Sequence, residues 1–130
     1  MDVDGVGAAV AFTGHREDVP DVLRALDVLC IPSLRHEGVP QIGLQALACG
    51  TAVVGSDCGG IPEIIREGKT GRIFPIGDAA ALARRIVETI EQKADTDRMR
   101  TSGRAMVEQH HSFEAMLDKL ETIYRRFLPA

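Results

Sequence analysis

The chain has 130 residues, of which 45% are apolar and 26% are charged, a balance typical of one soluble domain with a single core. Its net charge is −4 and its lysines and arginines are scattered, so we expect no nucleic-acid partner. No run approaches the roughly 20 apolar residues that a membrane-spanning helix needs. The three cysteines, Cys30, Cys49 and Cys58, lack the spacing of a metal site, and we interpret them as small buried apolar side chains.

Short apolar runs alternate with helical patterns along the chain. We predict strands at residues 10–12, 28–31, 52–55 and 70–74, because continuous apolar runs bounded by turn residues are typical of strands buried on both faces. Helices are predicted from Pro20, over 41–49 with Gly50 as the terminating residue, from Asp78, over 96–109 and from Ser112. A further short helix is predicted after a turn at residues 59–63, and Gly68 ends it. This alternation predicts an α/β fold with a parallel sheet and right-handed crossovers.

The predicted sheet is small for a nucleotide-binding fold. It has about four strands, and no strand, glycine-containing turn and helix precede residue 10. We therefore expect a piece of a longer protein, or an excised domain that lacks its first βαβ unit. Residues 1–130 then form a single, partial domain, with residues 112–130 as a C-terminal helix. Such a sheet would leave an open edge through which a homodimer could form.

Three polar loops, at residues 13–18, 32–41 and 55–60, follow predicted strands, and ligands of parallel sheets bind beyond these strand ends. The second loop carries Glu37 and leads into the helix at 41–49, which is apolar nearly all round and therefore expected to be buried. Free backbone N–H groups at the helix start suit a phosphate, and a carboxylate suits a polyhydroxylated ligand. Together they predict a sugar nucleotide. Alternatively, Glu37 caps the helix that follows it.

Five blocks in order carry a resemblance to a known family: Pro32-Ser33-x-x-x-Glu37-Gly38, Gln45-Ala46-Leu47-Ala48-x-Gly50-Thr51-Ala52-Val53-Val54, Gly59-Gly60-Ile61-Pro62-Glu63-Ile64, Gly68-x-Thr70-Gly71 and Gly77-Asp78. The chain resembles the C-terminal, donor-binding domain of the family 4 retaining glycosyltransferases, also called glycosyl transferases group 1. The resemblance implies a Rossmann-like three-layer parallel sheet, the C-terminal half of the two-domain B-type glycosyltransferase fold.

The resemblance also implies roles for particular residues. Glu37 is the catalytic carboxylate, which accepts hydrogen bonds from sugar hydroxyls and helps to stabilise an oxocarbenium-like transition state. The other substrate-binding residues fall into three groups. A turn beside the nucleotide base contains Gly14, His15 and Arg16. The backbone of Gly38, Val39, Pro40 and Gln41 contacts the sugar and diphosphate, and Gln45 contacts the ribose.

Two positions depart from the family pattern, and both bear on the ligand. Gln45 stands where the family has a second glutamate, and it can both accept and donate hydrogen bonds. Pro40 stands where the family usually has glycine, and it has no N–H to donate to a phosphate. For three features an alternative remains open. Gln45 could bond to a neighbouring loop, and Arg16 could lie in a solvated turn or reach a phosphate. Gly59 and Gly60 could serve only to form a turn.

As an enzyme, the chain would transfer a sugar from a UDP- or GDP-sugar to a glycan or lipid-linked acceptor, without a cofactor or a metal ion. The acceptor would bind through an N-terminal domain absent here, so these 130 residues alone would be inactive. Polysaccharide or lipopolysaccharide assembly is the expected context. The acidic start Met1-Asp2-Val3-Asp4 does not have the pattern of a signal peptide. The resemblance implies an enzyme that is cytoplasmic or peripheral to the inner membrane. The alternatives are a non-catalytic, truncated nucleotide-binding or assembly module and, with less support, a 2-epimerase.

Overall fold

The computed structural model describes residues 5–35 and 37–127 and places three parallel strands in one sheet. The strands are β1 (Val28–Ile31), β2 (Ala52–Ser56) and β3 (Arg72–Phe74), in the spatial order β1-β2-β3. β2 pairs with both neighbours, with Ala52 opposite Val28, and all of its residues are buried. The predicted α/β fold with a parallel sheet is therefore confirmed.

Helices cover both faces of this sheet. In the described residues they are α1 (Val19–Ala25), α2 (Gln41–Cys49), α3 (Ile61–Ile64), α4 (Ala79–Glu91), α5 (Lys93–His110) and α6 (Phe113–Arg125). Successive residues of a strand point to opposite faces, and Val53 accordingly packs with α2, α3 and α5 while Val54 packs against α4. The result is a three-layer arrangement whose core lies on either side of β2.

The expected strand at residues 10–12 is wrong, and the described sheet has three strands rather than about four. Val10 and Phe12 are 46% and 84% exposed and belong to no strand. An apolar run becomes a strand only where a neighbouring strand edge satisfies its backbone groups, and this segment has no such neighbour among the described residues. The fourth expected strand begins at Arg72, because Thr70 is engaged elsewhere: its hydroxyl donates to the Ile64 carbonyl at 2.6 Å.

Helix α2 is buried on one side only, so the expectation of a fully buried helix is wrong. Ala46 and Leu47 are fully buried, whereas Gln45 and Ala48 are exposed. The sheet, α3 and α5 cover only the side that faces them, and small alanine side chains tolerate exposure on the other. Gly50 ends the helix in the left-handed conformation with φ of 75°, as predicted.

Helix α6 closes the described chain and buries none of its residues. Its predicted cap is confirmed, because the Ser112 hydroxyl accepts from the Ala115 N–H at 3.1 Å. Its apolar stripe is 42–80% exposed: Met116, Leu117, Leu120, Ile123, Tyr124 and Phe127. The last three residues of the predicted helix, together with residues 1–4 and His36, lie outside the described residues. None of the helices within 5–35 and 37–127 is both long and apolar enough to cross a bilayer.

Candidate functional site

Two connections meet beyond the carboxyl ends of β1 and β2, and the second holds the first in place. We call them the Glu37 loop (residues 32–35 and 37–40) and the Gly59 loop (residues 57–60). Donors on β2 and the Gly59 loop bond to carbonyls of the Glu37 loop: Ser56 Oγ to Ser33 O at 2.8 Å, Cys58 Sγ to Arg35 O at 2.7 Å and Gly60 N to Glu37 O at 2.9 Å. The position of the Glu37 loop is therefore set by the strand next to its own.

The two glycines of the Gly59 loop allow this contact. A Cβ on Gly59 would lie 2.0 Å from the Glu37 carbonyl oxygen, and Gly59 also has a φ of 52°. A Cβ on Gly60 would lie 2.8 Å from the Gly38 carbonyl carbon. The interpretation in which Gly59 and Gly60 serve only a turn is therefore wrong, because the pair also lets the backbone of the Glu37 loop approach closely.

The Glu37 carboxylate is half-buried and held by a neighbour in its own loop. The Ser33 hydroxyl donates to Oε2, while Oε1 has no hydrogen-bond partner among the described residues. The alternative in which Glu37 caps the following helix is wrong, because no side chain bonds to the first N–H groups of α2. One carboxylate oxygen is thus fixed and the other is left available to a ligand.

The N-terminus of α2 begins directly after the Glu37 loop and presents unused donors. Pro40 is the buried N-cap residue, and its carbonyl accepts hydrogen bonds from the N–H groups of Gly43 and Leu44 at 3.0 and 3.3 Å. The N–H groups of Gln41 and Ile42 have no acceptor within the described part of the chain, and both residues are exposed. Free N–H groups at the positive end of a helix dipole can bind an anion.

Gln45 lies one turn beyond Gln41 on the same side of α2. Its side chain is exposed and forms no hydrogen bond with the described residues, so the alternative in which it bonds to a neighbouring loop is wrong. Gly38 and Val39 are also exposed. The structure therefore brings together the predicted residues from Glu37 to Gln41 and Gln45 along one loop and one helix face.

The predicted turn at Gly14, His15 and Arg16 lies in the exposed segment that precedes α1. All three residues are exposed, and Gly14 has a φ of 68°. The Arg16 guanidinium donates through Nε to Asp18 at 2.8 Å and through a second nitrogen to the other carboxylate oxygen. These bonds hold the pKa of Asp18 below its usual value and raise that of Arg16. No hydrogen bond between described residues joins this turn to the Glu37 loop.

A cavity of about 460 Å³ adjoins the Glu37 and Gly59 loops. Leu34, Arg35 and Cys58 line it, with Gly59 and Ile76. Apolar side chains and one guanidinium thus border this space, and Leu34 and Ile76 are 67% and 49% exposed. Within the described residues, no three or more His, Cys, Asp or Glu side chains are grouped as a metal site would require.

Sequence reasoning missed the side chains that support the site. Ser56 is fully buried, and a polar residue at the carboxyl end of a buried strand was an available signal. Cys58 is buried as expected, but its thiol is also a hydrogen-bond donor to the Glu37 loop. Cys30 and Cys49 are half-buried rather than buried, and partial burial raises the pKa of the Cys30 thiol. No signal in the sequence indicated Leu34, Arg35 or Ile76.

The chain is similar in sequence to curated proteins that are much longer. It is 30% identical over 115 residues to N-acetyl-alpha-D-glucosaminyl L-malate synthase of Bacillus anthracis, a match that covers 88% of this chain and 30% of that protein. It is 34% identical over 114 residues to alpha-maltose-1-phosphate synthase of Mycolicibacterium smegmatis, which covers 83% of this chain and 29% of that protein. The chain thus spans about a third or less of the length of these relatives.

The structure superposes on that of Anabaena Alr3699/HepE in complex with UDP-glucose with a TM-score of 0.86 and 26% identity, covering 93% of this chain and 34% of that one. This likeness confirms the expected Rossmann-like fold of the C-terminal half of a B-type glycosyltransferase. The sequence family described as Glycosyl transferases group 1 matches residues 1–92. This chain therefore belongs to the glycosyl transferases group 1.

Proposed function

We propose that this chain is the donor-binding part of a retaining glycosyltransferase, which transfers a sugar from a nucleotide diphosphate sugar to a glycan or lipid-linked acceptor. The observation that carries the proposal is that a Glu37 carboxylate held by Ser33 lies on the loop that leads directly into the unused N–H groups of Gln41 and Ile42. A carboxylate suits sugar hydroxyls, and helix N–H groups suit a diphosphate. The UDP-glucose bound to the similar Anabaena protein supports the same class of donor.

The diphosphate would bind at the start of α2. Gln41 and Ile42 supply two N–H donors there, and the helix dipole adds positive potential. Pro40 accepts hydrogen bonds through its carbonyl but has no N–H of its own to contribute. Gln45, one turn further along the exposed face, would donate to one ribose hydroxyl and accept from the other.

Glu37 would act on the sugar itself. With Oε2 held by Ser33, Oε1 can accept a hydrogen bond from a sugar hydroxyl. As the bond from the anomeric carbon to the diphosphate oxygen breaks, positive charge develops on the sugar ring. A fixed carboxylate nearby stabilises that charge without having to reorient, which is the usual source of electrostatic catalysis.

The remaining parts of the proposal concern the whole enzyme. We propose a UDP or GDP donor, with the helix N-terminus and basic groups rather than a metal ion opposing the diphosphate charge. The acceptor would bind to a part of the protein outside these residues, so the isolated chain would bind donor and transfer little sugar. We place the enzyme in the cytoplasm or at the inner surface of the membrane, in polysaccharide or lipopolysaccharide assembly.

Calorimetric titration of the chain with UDP-glucose and GDP-mannose tests this function. We expect one donor to bind, and Glu37→Gln to weaken its binding by about tenfold, since one charge-assisted hydrogen bond is lost. Glu91→Gln is the matched control, because Glu91 is exposed on α4 and makes no ion pair with the described residues. Absence of binding at millimolar concentrations of both donors would contradict the proposal.

A second candidate, a non-catalytic assembly module, is favoured by one observation. β1 pairs with β2 on one side, and its other edge has no strand partner among the described residues. Such an edge can pair with that of a second copy and give a homodimer. Sedimentation over a range of concentrations would show this dimer, and dimerisation without any donor binding would favour the module over the enzyme.

A further inference from the structure

A second concave site lies between the connection from α3 to β3 and helix α5. It is a cavity of about 550 Å³, and every charged or titratable side chain that lines it is basic: Arg66, Lys69, Arg98 and His110. We call it the α5 basic pocket. The connection leads to the amino end of β3, whereas Glu37 lies beyond the carboxyl ends of the strands. The pocket is therefore separate from the proposed donor site.

The charges of this pocket are available to a ligand. Arg66 and Lys69 form no side-chain hydrogen bond and no ion pair within 4.0 Å with the described residues. Arg98 pairs with Asp95 at 2.5 Å, but the two side chains are 76% and 48% exposed, and such pairs contribute little. The backbone N–H groups of Lys69 and Thr70 already bond to the Arg66 carbonyl. Binding would thus depend on the side chains rather than on the turn.

A neighbouring cavity on the same helix shows the contrast. It measures about 480 Å³ and is lined by Lys93 and Arg100 together with Asp27 and Asp97. Arg100 donates to Asp97 at 3.4 Å and to the Asp27 carbonyl at 3.2 Å. The lining there holds two cations and two carboxylates, so that cavity has no excess charge. The α5 basic pocket has four basic side chains and no carboxylate in its lining.

The local electrostatics agree with an excess of positive charge. Burial lowers the pKa of His111, next to the pocket, and the positive charges of Lys119, His110 and Arg66 lower it further. Glu63 is the one carboxylate that acts in the opposite direction on this histidine. An anion placed among Arg66 and its neighbours would relieve the mutual repulsion of these groups.

We propose that the α5 basic pocket binds a small molecule that carries a phosphate or diphosphate group. The phosphate oxygens would contact Arg66 and Lys69, because a guanidinium binds two phosphate oxygens at once and an ammonium adds a point charge. Ser102 and Gln109, which also line the pocket, offer neutral hydrogen-bonding groups for the rest of the molecule. The site takes its ligand independently of the donor site.

Titration of the full chain with pyrophosphate, in the presence of saturating UDP, tests the pocket. Amide chemical shifts should change at residues 66–70 and 98–110. The double variant Arg66→Ala/Lys69→Ala should weaken binding by at least about tenfold, through loss of two charge-assisted contacts. The matched control Arg24→Ala/Arg104→Ala removes the same charge from exposed ion pairs elsewhere and should leave binding unchanged.

The outcomes that overturn the proposal are specific. They are unchanged pyrophosphate binding in the Arg66→Ala/Lys69→Ala variant, an equal loss in the control variant, or shifts confined to residues 38–45. Cosedimentation with phosphatidylglycerol vesicles distinguishes the sources of the phosphate. Vesicle binding that the double variant abolishes assigns a lipid headgroup, whereas pyrophosphate binding without vesicle binding assigns a soluble ligand. Binding of neither probe contradicts the pocket altogether.

Discussion

The Glu37 loop and the turn at Gly14 are both predicted to bind the donor, but they differ in how the rest of the chain holds them. The Glu37 loop is bonded to β2 and the Gly59 loop, and its carboxylate is held by Ser33. The turn at Gly14 is exposed, and among the described residues its hydrogen bonds are local: the pair of Arg16 with Asp18 and a weak one from the Thr13 hydroxyl to the Gly14 carbonyl. A loop next to a central strand is positioned by the packing of the sheet. A segment without a strand partner is positioned only by its immediate neighbours.

The contrast should be largest in the response to an added methyl group. Gly59→Ala would place Cβ against the Glu37 carbonyl and keep a positive φ, so we expect the free energy of unfolding to fall by about 3 kcal/mol. We also expect donor binding to be lost. Gly14→Ala has the same φ penalty but open space around Cβ, so we expect a loss of about 1 kcal/mol. Urea unfolding measures both. Equal losses would contradict the tight contact between the loops.

A smaller effect is expected from the buried hydroxyl that joins the two loops. Ser56→Ala removes the donor to the Ser33 carbonyl, and we expect a loss of about 1–2 kcal/mol of unfolding free energy. Thr13→Ala, in the exposed segment, should change stability by less than about 0.5 kcal/mol. Thermal unfolding of both variants measures the two effects. An equal loss of stability in Ser56→Ala and Thr13→Ala would show that the Ser56 hydroxyl does not stabilise the Glu37 loop.

Restoring the family's second glutamate tests whether Gln45 contacts the donor. Gln45→Glu should tighten donor binding about fivefold, because a carboxylate accepts from both ribose hydroxyls. Gln45→Ala should weaken binding and leave the fold intact, since the side chain is exposed and makes no hydrogen bond with the described residues. Calorimetry with the donor measures both, and equal affinities for all three proteins would remove Gln45 from the site.

The smallest effect concerns the exposed ion pair. Since Arg16 lowers the pKa of folded Asp18, the pair stabilises the fold above the unfolded pKa of about 3.9 and loses this contribution as pH falls through the folded value. Arg16→Ala should return the pKa of Asp18 towards its usual value. Carboxyl chemical shifts followed against pH measure it, and an unchanged pKa in the variant would show that Arg16 is not the cause.

Much of the fold could be predicted from sequence because the elements carry their own signals. Apolar runs predicted β1 and β2, and capping residues predicted the starts of α4 and α6, where Asp78 and Ser112 accept the expected hydrogen bonds. The run at 10–12 carried the same apolar signal but found no strand partner among the described residues. Whether a strand forms depends on a neighbour, which local composition does not reveal.

The candidate site was predicted in part for a related reason. Glu37 and the start of α2 follow from one continuous motif, so their proximity is local in sequence. The hydrogen bonds from Ser56, Cys58 and Gly60 to the Glu37 loop join residues about 23 positions apart, between the carboxyl ends of the neighbouring strands β1 and β2. Pairings at that separation depend on strand order and register, which a single sequence does not specify.

Titration of the isotope-labelled chain with UDP, followed by amide chemical shifts, tests the central claim most directly. The account predicts that the largest shifts fall on Gly38, Gln41, Ile42 and Gln45, at the unused donors of α2 and its exposed face. It also predicts that Gly59→Ala abolishes them, while Gly14→Ala retains them. Shifts that leave residues 37–45 unaffected, or no shifts at millimolar UDP, would contradict the claim that this loop and helix form a nucleotide site.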